Sequence, residues 1–405
     1  MELKDSPWHG REGLDALVAT LSADRVRYVG GAVRDALLGI AADDLDLATT
    51  HEPGEVLRLL KAAGIKAVPT GLAHGTVTAV LASGPVEVTT LRRDLATDGR
   101  HATVAFTDDW RADAARRDFT INALYAEPIT NAISDYFDGL RDLRAARVRF
   151  IGDPLQRIAE DHLRILRFFR FHARFGEAID AAGLEACVAR ANDLMALSRE
   201  RIAAELLKLL VARSAVRVAT LMLARGVFAP VLPDITDAAA LAALAAIEAS
   251  AGIAADPIRR LAALLPRDPG IADDVAARLK LSKTQRQRLV AAATDRAGSP
   301  REDAYRNGRE QAIDRLLLAG EPAEARALLD WPIPPLPLTG GALVARGLSR
   351  GPEVAAALKR VEARWIAERF PDQPRVDALA DEEVASTLRS TSIANASSAP
   401  SGRAK

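Results

Sequence analysis

The chain has 405 residues, 49% of them hydrophobic, and its 54 basic side chains are matched by 54 acidic ones. That length suits roughly two to four domains with ample core, and zero net charge excludes a polybasic nucleic-acid coat, though not a basic face on part of the surface. A single cysteine, Cys187, excludes a disulfide framework and a thiolate zinc site; no apolar run is long enough to span a bilayer, so the expectation is a cytoplasmic protein without membrane contact and with no protein partner evident.

Residues 1–145 hold nearly all the strand-like segments. Val26–Val29, Leu45–Leu47, Thr76–Leu81 and Val86–Leu91 are short, rich in Val, Leu and Thr, and bounded by Gly, Asp or Pro. Between the first two, Ala32–Leu38 reads as a helix closed by Gly39. Beyond about residue 146 the pattern turns helical, dominated by Leu, Ala and Arg. The predicted fold is therefore an α/β head, a small mixed sheet with helices over 1–145, followed by a long all-α remainder. Pro230–Pro233, Pro266–Pro269 and Pro332–Pro337 interrupt the helices. Residues 371–405 lose apolar periodicity and are expected to be a disordered tail. All six histidines (9, 51, 74, 101, 162, 172) lie in the first 172 residues, which excludes a His/Asp metal-hydrolase module from the C-terminal half.

Four segments carry chemistry. Gly30-Gly31-Ala32-Val33-Arg34-Asp35 follows a strand and opens a helix, where two glycines let the backbone turn tightly and present N–H groups to an anion. Alone, the pair also fits a plain strand–helix turn. Asp44-Leu45-Asp46 comes about ten residues on. In a strand, i and i+2 share a face, so both carboxylates converge, and like charges that close call for divalent cations or Arg. Oxygen-only ligands suit Mg²⁺, and Glu87, in the strand Val86–Leu91 on the face of Thr89 and Leu91, offers a third carboxylate. A solvated turn or helix cap is the bland alternative. Arg116-Arg117-Asp118-Phe119-Thr120-Ile121-Asn122-Ala123 sets Asp118 and Asn122 four apart, neighbours on one helical face; a capped helix start with two surface arginines fits as well.

The fourth segment is Arg157-Ile158-Ala159-Glu160-Asp161-His162-Leu163-Arg164. Positions 157, 160, 161 and 164 follow the i, i+3, i+4, i+7 rule and predict one polar stripe on a single helix. A surface helix with an ion pair between Glu160 and Arg164 meets the same pattern. In the sharper reading, Asp161 and Arg164 set an acceptor beside a donor. Cytosine and adenine each offer an exocyclic amino group next to a ring-nitrogen acceptor, whereas uracil and guanine offer a carbonyl next to an N–H. Such an edge selects CTP and ATP and leaves unpaired groups against UTP and GTP.

With these segments in order, residues 25–175 resemble the class II CCA-adding tRNA nucleotidyltransferases of the tRNA nucleotidyltransferase/poly(A) polymerase family. The resemblance implies a nucleotidyltransferase head over 1–145, a helical neck with the nucleobase-recognition helix over 146–215, and a tRNA-binding body and tail over 216–370. It implies Asp44 and Asp46 as catalytic metal ligands, with Gly30, Gly31, Arg34 and Asp35 as the nucleotide loop. Arg117, Asp118 and Asn122 would lie near ribose and phosphates, and Arg157, Glu160, Asp161 and Arg164 would read the base. The substrates are then tRNA, CTP and ATP, with Mg²⁺ as cofactor. Arg199–Lys208 looks like the family's bracing helix and Arg92–His101 like its mobile loop.

Lys280, Lys283, Arg286 and Arg288 form a local basic cluster, opened by a Ser282-x-x-Gln285 capping box. They stand with Arg350, in Gly-Leu-Ser-Arg-Gly, as candidate RNA contacts against the alternative of a solvated helix face. A poly(A) polymerase of the same family shares the motifs, as does a partial enzyme adding only CC or only A. The acidic residues Asp372, Asp377, Asp381, Glu382 and Glu383 within 371–405 favour a tRNA-specific enzyme over a processive one. A non-catalytic tRNA-binding protein would need none of Asp44, Asp46, Asp161 or Arg164.

Overall fold

The computed structural model describes residues 3, 8, 10–41, 45–97 and 102–397. Strands β1 Val26–Val29, β2 Asp46–Thr49, β3 Lys66–Gly71, β4 Thr76–Leu81, β5 Gly84–Thr90, β6 Arg92–Thr97, β7 Ala102–Phe106, β8 Leu124–Ala126 and β9 Ile133–Asp135 alternate with helices α1 Leu14–Thr20, α2 Gly31–Leu37, α3 Pro53–Ala62, α4 Trp110–Ala115 and α5 Gly139–Arg144. Seven strands form one sheet in the order β3-β4-β5-β2-β1-β8-β9, and β6 and β7 form a separate hairpin. β2 and β5 pair in parallel, while the other neighbours run antiparallel.

Period-two alternation divides the sheet by chemistry. Leu47, Val77, Val86 and Val88 are fully buried against Leu17 of α1, Val33 of α2 and Leu60 of α3; each such side chain stabilises the head by about 1.5–3 kcal/mol relative to exposure. The residues between them, Asp46 and Ala48 on β2, face the other way and pair in register with Glu87 and Thr89 on β5. The four expected strands appear as β1, β2, β4 and β5, and α2 lies within a residue of its predicted bounds. β8 lies just after a segment read as helical, where only Thr120–Asn122 makes a single 3₁₀ turn.

The head leads into α6 Pro154–Glu160, α7 Arg164–Phe175, α8 Ala181–Ala189 and α9 Arg199–Leu210. Asp153 caps α6, its carboxylate accepting the N–H groups of Leu155 and Gln156 at 2.7 and 3.1 Å. Phe119 from the head packs on Phe150 and on Phe171 of α7, with ring centroids 4.9 and 5.4 Å apart. Met1–Ala242, Asp256–Pro266 and Asp273–Arg286 cluster as one compact unit, so contacts do not divide head from neck; Ala243–Ala255, Arg267–Ala272 and Gln287–Lys405 make a second.

The expected disorder after residue 371 is corrected over Gln373–Ser397, which is a helix; residues 398–405 lie outside the described residues. Val376, Leu379, Ala380 and Val384 recur at helical spacing and pack on Val361 and Trp365. The stripe is narrow and partly alanine, which hid it. Four of the five carboxylates read as an acidic tail are ion-paired: Asp377 and Asp381 to Arg346 at 2.6 and 2.9 Å, Glu382 to Arg364 at 2.5 Å and Glu383 to Arg360 at 2.6 Å.

Candidate active site

β1 is followed by Gly30, whose φ of +71° lies in the left-handed region, and α2 begins at Gly31. A side chain at 30 would be strained and would sit 3.4 Å from Nη1 of Arg117. Arg34, 4% exposed, donates to Asp35 at 2.8 Å and to the Asn122 amide oxygen, and its guanidinium lies 4.4 Å over the Phe175 ring. Burial lowers its pKa although Asp35 raises it. Arg34 is thus locked by its own motif and the third one, whereas Asp35 sits behind it and also binds Arg174 at 3.2 Å.

Asp118 and Asn122 do meet, with the amide nitrogen 3.0 Å from Oδ1, across an extended Phe119 and a 3₁₀ turn rather than along an α-helix. Arg167 of α7 binds the other oxygen at 2.6 Å. Burial pushes the Asp118 carboxyl up, but Arg167 and the Asn122 amide outweigh it and hold it at about 2. Asp113 behaves likewise: burial opposes ionisation, and Arg117, Arg116 and the Tyr125 hydroxyl bring it to about 2. Both values lie below the ordinary 3.8, so this stabilisation is complete above that pH and is lost as pH falls through the folded value. The thermal unfolding midpoint should therefore stay level down to about pH 5 and drop between about pH 4 and about pH 2. Asp118→Asn should flatten that drop; an identical slope would remove Asp118 from the acid-sensitive set.

The predicted polar stripe is corrected, because α6 stops at Glu160 and Asp161 is extended (φ −151°, ψ 106°) before α7 opens at Arg164. Arg157, Glu160 and Arg164 remain together: Nη1 of Arg164 donates to Glu160 at 2.6 Å and to the Arg157 carbonyl at 2.8 Å, and Nη2 to the Arg116 carbonyl at 3.0 Å. Arg157 donates to Glu160 at 3.0 Å and to the same Arg116 carbonyl. The Asp161 carboxylate turns instead to Arg201 of α9, whose Nη2 is 3.0 and 3.2 Å from its two oxygens.

These parts enclose a cavity of about 540 Å³, lined by Gly30, Gly31, Asn122, Leu163 and Phe171, by Asp46, Asp118 and Asp161, and by arginines 34, 92, 116, 117, 164, 167, 170 and 201. Eight arginines face three aspartates there, so the wall is strongly cationic. Counter-charges stand behind it: Asp35, Asp113, Glu160 and Glu205 bind arginines of the lining without reaching it themselves. Arg34, Arg167 and Arg170 also share the Phe171 ring, at 5.2, 5.2 and 4.1 Å from its centroid, which helps like charges to lie close. Such a wall suits a polyanion. Asp46 opens β2 at its edge with Glu87 beside it in register; Asp44 lies outside the described residues. Among the described residues no three His, Cys, Asp or Glu gather as a metal site, and the two oxygen donors present match a hard divalent cation.

Comparison with known proteins agrees with this architecture. Residues 26–149 match the poly A polymerase head domain, and 178–239 match a probable RNA and SrmB-binding site of polymerase A. The human mitochondrial CCA tRNA nucleotidyltransferase 1 is 35% identical over 87% of this chain and 86% of its own length. The chain belongs to the CCA tRNA nucleotidyltransferase family. The CCA-adding enzyme of Oceanobacillus iheyensis is 42% identical over 45% of each chain. The crystal structure of the Bacillus stearothermophilus CCA-adding enzyme in complex with CTP covers 95% of this chain and all of its own at a TM-score of 0.70, with 24% identity, a likeness of fold.

The cavity of this family member is lined and backed by residues that motif reading passed over. Arg167 and Arg170 extend from Arg164 at steps of three on α7 and alternate with Phe168, Phe169 and Phe171; that spacing was the available signal. Asp113 precedes Arg116 and Arg117 by three and four residues, the i, i+3 and i+4 pattern. Arg201 was assigned to bracing. α9 does brace α7, through Glu205 to Arg170 at 2.5 Å, but Arg201 itself reaches the cavity. Of the candidate RNA contacts, Lys280 pairs with Glu200 at 2.8 Å and Arg286 with Asp273 at 2.5 Å, while Lys283 is exposed. Arg288 is corrected: it is largely covered and bound to the fully buried Asp314 at 2.9 Å, an internal pair rather than a solvated one. The Ser282–Gln285 capping box forms as expected, at 3.0 and 3.3 Å. Arg350 is exposed and borders a groove with Gly340, Gly351 and Val354. Residues 98–101 of the expected mobile loop lie outside the described residues; its start is strand β6.

Proposed function

We propose that the protein adds C, C and A to the 3′ end of tRNA from CTP and ATP without a nucleic-acid template, releasing pyrophosphate at each step. The observation that carries this reading is one cavity in which Asp46, Asp161 and eight arginines, Arg164 among them, share a wall. A relative named CCA tRNA nucleotidyltransferase 1, aligned over 87% of the chain, supports it.

The arginines gather the triphosphate, and the Gly30–Gly31 turn lets phosphate approach the backbone. Asp161 accepts from the exocyclic amino group of the base and Arg164 donates to the ring nitrogen, fixing both cytosine and adenine in one pose. Mg²⁺, for which Asp44, Asp46 and Glu87 are suitable oxygen donors, would supply activation of the tRNA 3′-hydroxyl and charge neutralisation at the α-phosphate. Holding both reactants aligned does the rest. The neck, 146–215, carries base recognition, and the body and tail, 216–370, hold the tRNA. No described helix is long and apolar enough to cross a membrane. The reading keeps the cytoplasmic location expected from sequence, and cell fractionation would distinguish it from the mitochondrial one in the names of the animal relatives.

A tRNA transcript lacking its last three nucleotides tests the reading when incubated with Mg²⁺ and each NTP singly, then with CTP and ATP together. Growth by two with CTP and by three with both is expected. A long ladder with ATP alone would move the assignment to a poly(A) polymerase, and a stop after two with both present to a CC-adding enzyme. No growth at all would overturn it.

A further inference from the structure

We propose that Asp113 is a positioning residue that sets the phosphate end and the base end of the bound nucleotide together. Asp113 is 1% exposed and does not line the cavity. Its Oδ1 accepts from Arg116 at 2.7 and 3.0 Å and from the backbone N–H of Arg92 at 3.2 Å. Its Oδ2 accepts from Arg117 at 3.1 and 3.3 Å and from the Tyr125 hydroxyl at 2.7 Å. A buried carboxylate is costly unless it is fully satisfied, and here its three arginine donors all line the cavity, while the fourth donor, Tyr125, does not.

Three consequences follow from the one charge. Arg116 and Arg117 are adjacent cations facing one cavity, and a shared anion between them holds both guanidiniums where mutual repulsion would separate them. Fixing that segment also fixes its carbonyls: the Arg116 carbonyl accepts from Arg157 and from Arg164 at 3.0 Å, and the Arg117 carbonyl accepts from Arg157 at 3.1 Å. The guanidinium proposed to read the base therefore hangs from backbone that Asp113 anchors. Finally, the Arg92 N–H begins β6, so the same carboxylate clamps the root of the β6–β7 hairpin. Wrong placement of this residue disturbs triphosphate and base together, although the residue itself does not line the cavity.

The proposal rests on the nucleotide-addition reading above, and its test keeps the two apart. Wild-type protein, Asp113→Asn and Tyr125→Phe are compared with the truncated tRNA transcript at varied CTP, ATP and UTP, with rates scaled to the folded fraction by circular dichroism. Asp113→Asn keeps the shape and removes the charge; its KM for both CTP and ATP should rise about tenfold or more, as loss of charge-assisted hydrogen bonds implies, and CTP-over-UTP preference should fall. Tyr125→Phe removes one donor and keeps the charge; its KM should rise about two- to threefold for both nucleotides. A merely structural carboxylate would lower the melting temperature and folded fraction and leave KM and nucleotide preference unchanged, and that result overturns the proposal. If Asp113→Asn does not fold, unchanged KM values in Tyr125→Phe overturn it alone. Failure of the wild-type protein to extend the tRNA would instead overturn the underlying reading.

Discussion

Asp46→Asn should lower the single-turnover rate of nucleotide addition by about three orders of magnitude or more, the scale expected when a ligand of a charge-stabilising metal is neutralised, with folding and tRNA binding intact. The expectation rests on where the side chain is. Asp46 opens β2 on the cavity side of the sheet, while Leu47, which follows it, supplies the core contact. An isosteric amide there removes no apolar packing, so a loss of rate is a loss of chemistry. Glu87→Gln should do less, because Glu87 is exposed and stands beside Asp46 without lining the cavity. A single-turnover assay at saturating CTP and Mg²⁺ decides it: an Asp46→Asn rate within tenfold of wild type would remove this residue from the catalytic set.

Arg164→Ala should reduce use of CTP and ATP by about a hundredfold, in line with loss of a charged, largely covered hydrogen-bonding partner, and should relax rejection of UTP. The informative quantity is the ratio. Arg164 also holds Glu160 and the carbonyls of Arg157 and Arg116, so its removal loosens the wall and slows every nucleotide. Only loss of the base-edge donor changes CTP relative to UTP. Competition between the two nucleotides on one tRNA measures that ratio directly, and an unchanged value would separate Arg164 from base selection whatever happened to the rate.

Local signals were the legible part. Val26–Val29 and Thr76–Leu81 appear as strands with the bounds read from composition, and the glycine pair takes the turn its backbone freedom suggested. Each depends on neighbours in sequence. The break at Asp161 escaped detection because i, i+3, i+4, i+7 spacing describes a continuous helix equally well; the Asp161 carboxylate there accepts the Leu163 N–H at 3.1 Å and also binds Arg201, from a helix forty residues away. Arg170 and Arg201 look like ordinary surface charges in sequence; only packing of α7 against α9 turns them inward. The C-terminal helix was missed for the opposite reason, a buried stripe too narrow and too alanine-rich to stand out.

The excess of arginine over aspartate around the cavity also bears on what leaves it. An enclosure whose charge suits three phosphates suits two nearly as well, so on this reading pyrophosphate departs slowly and the reverse reaction, in which pyrophosphate strips the terminal nucleotide, uses the same guanidiniums. Direction is then set by surroundings more than by the protein: wherever pyrophosphate is hydrolysed promptly the tRNA end is kept complete, and wherever it accumulates the same fold trims what it built.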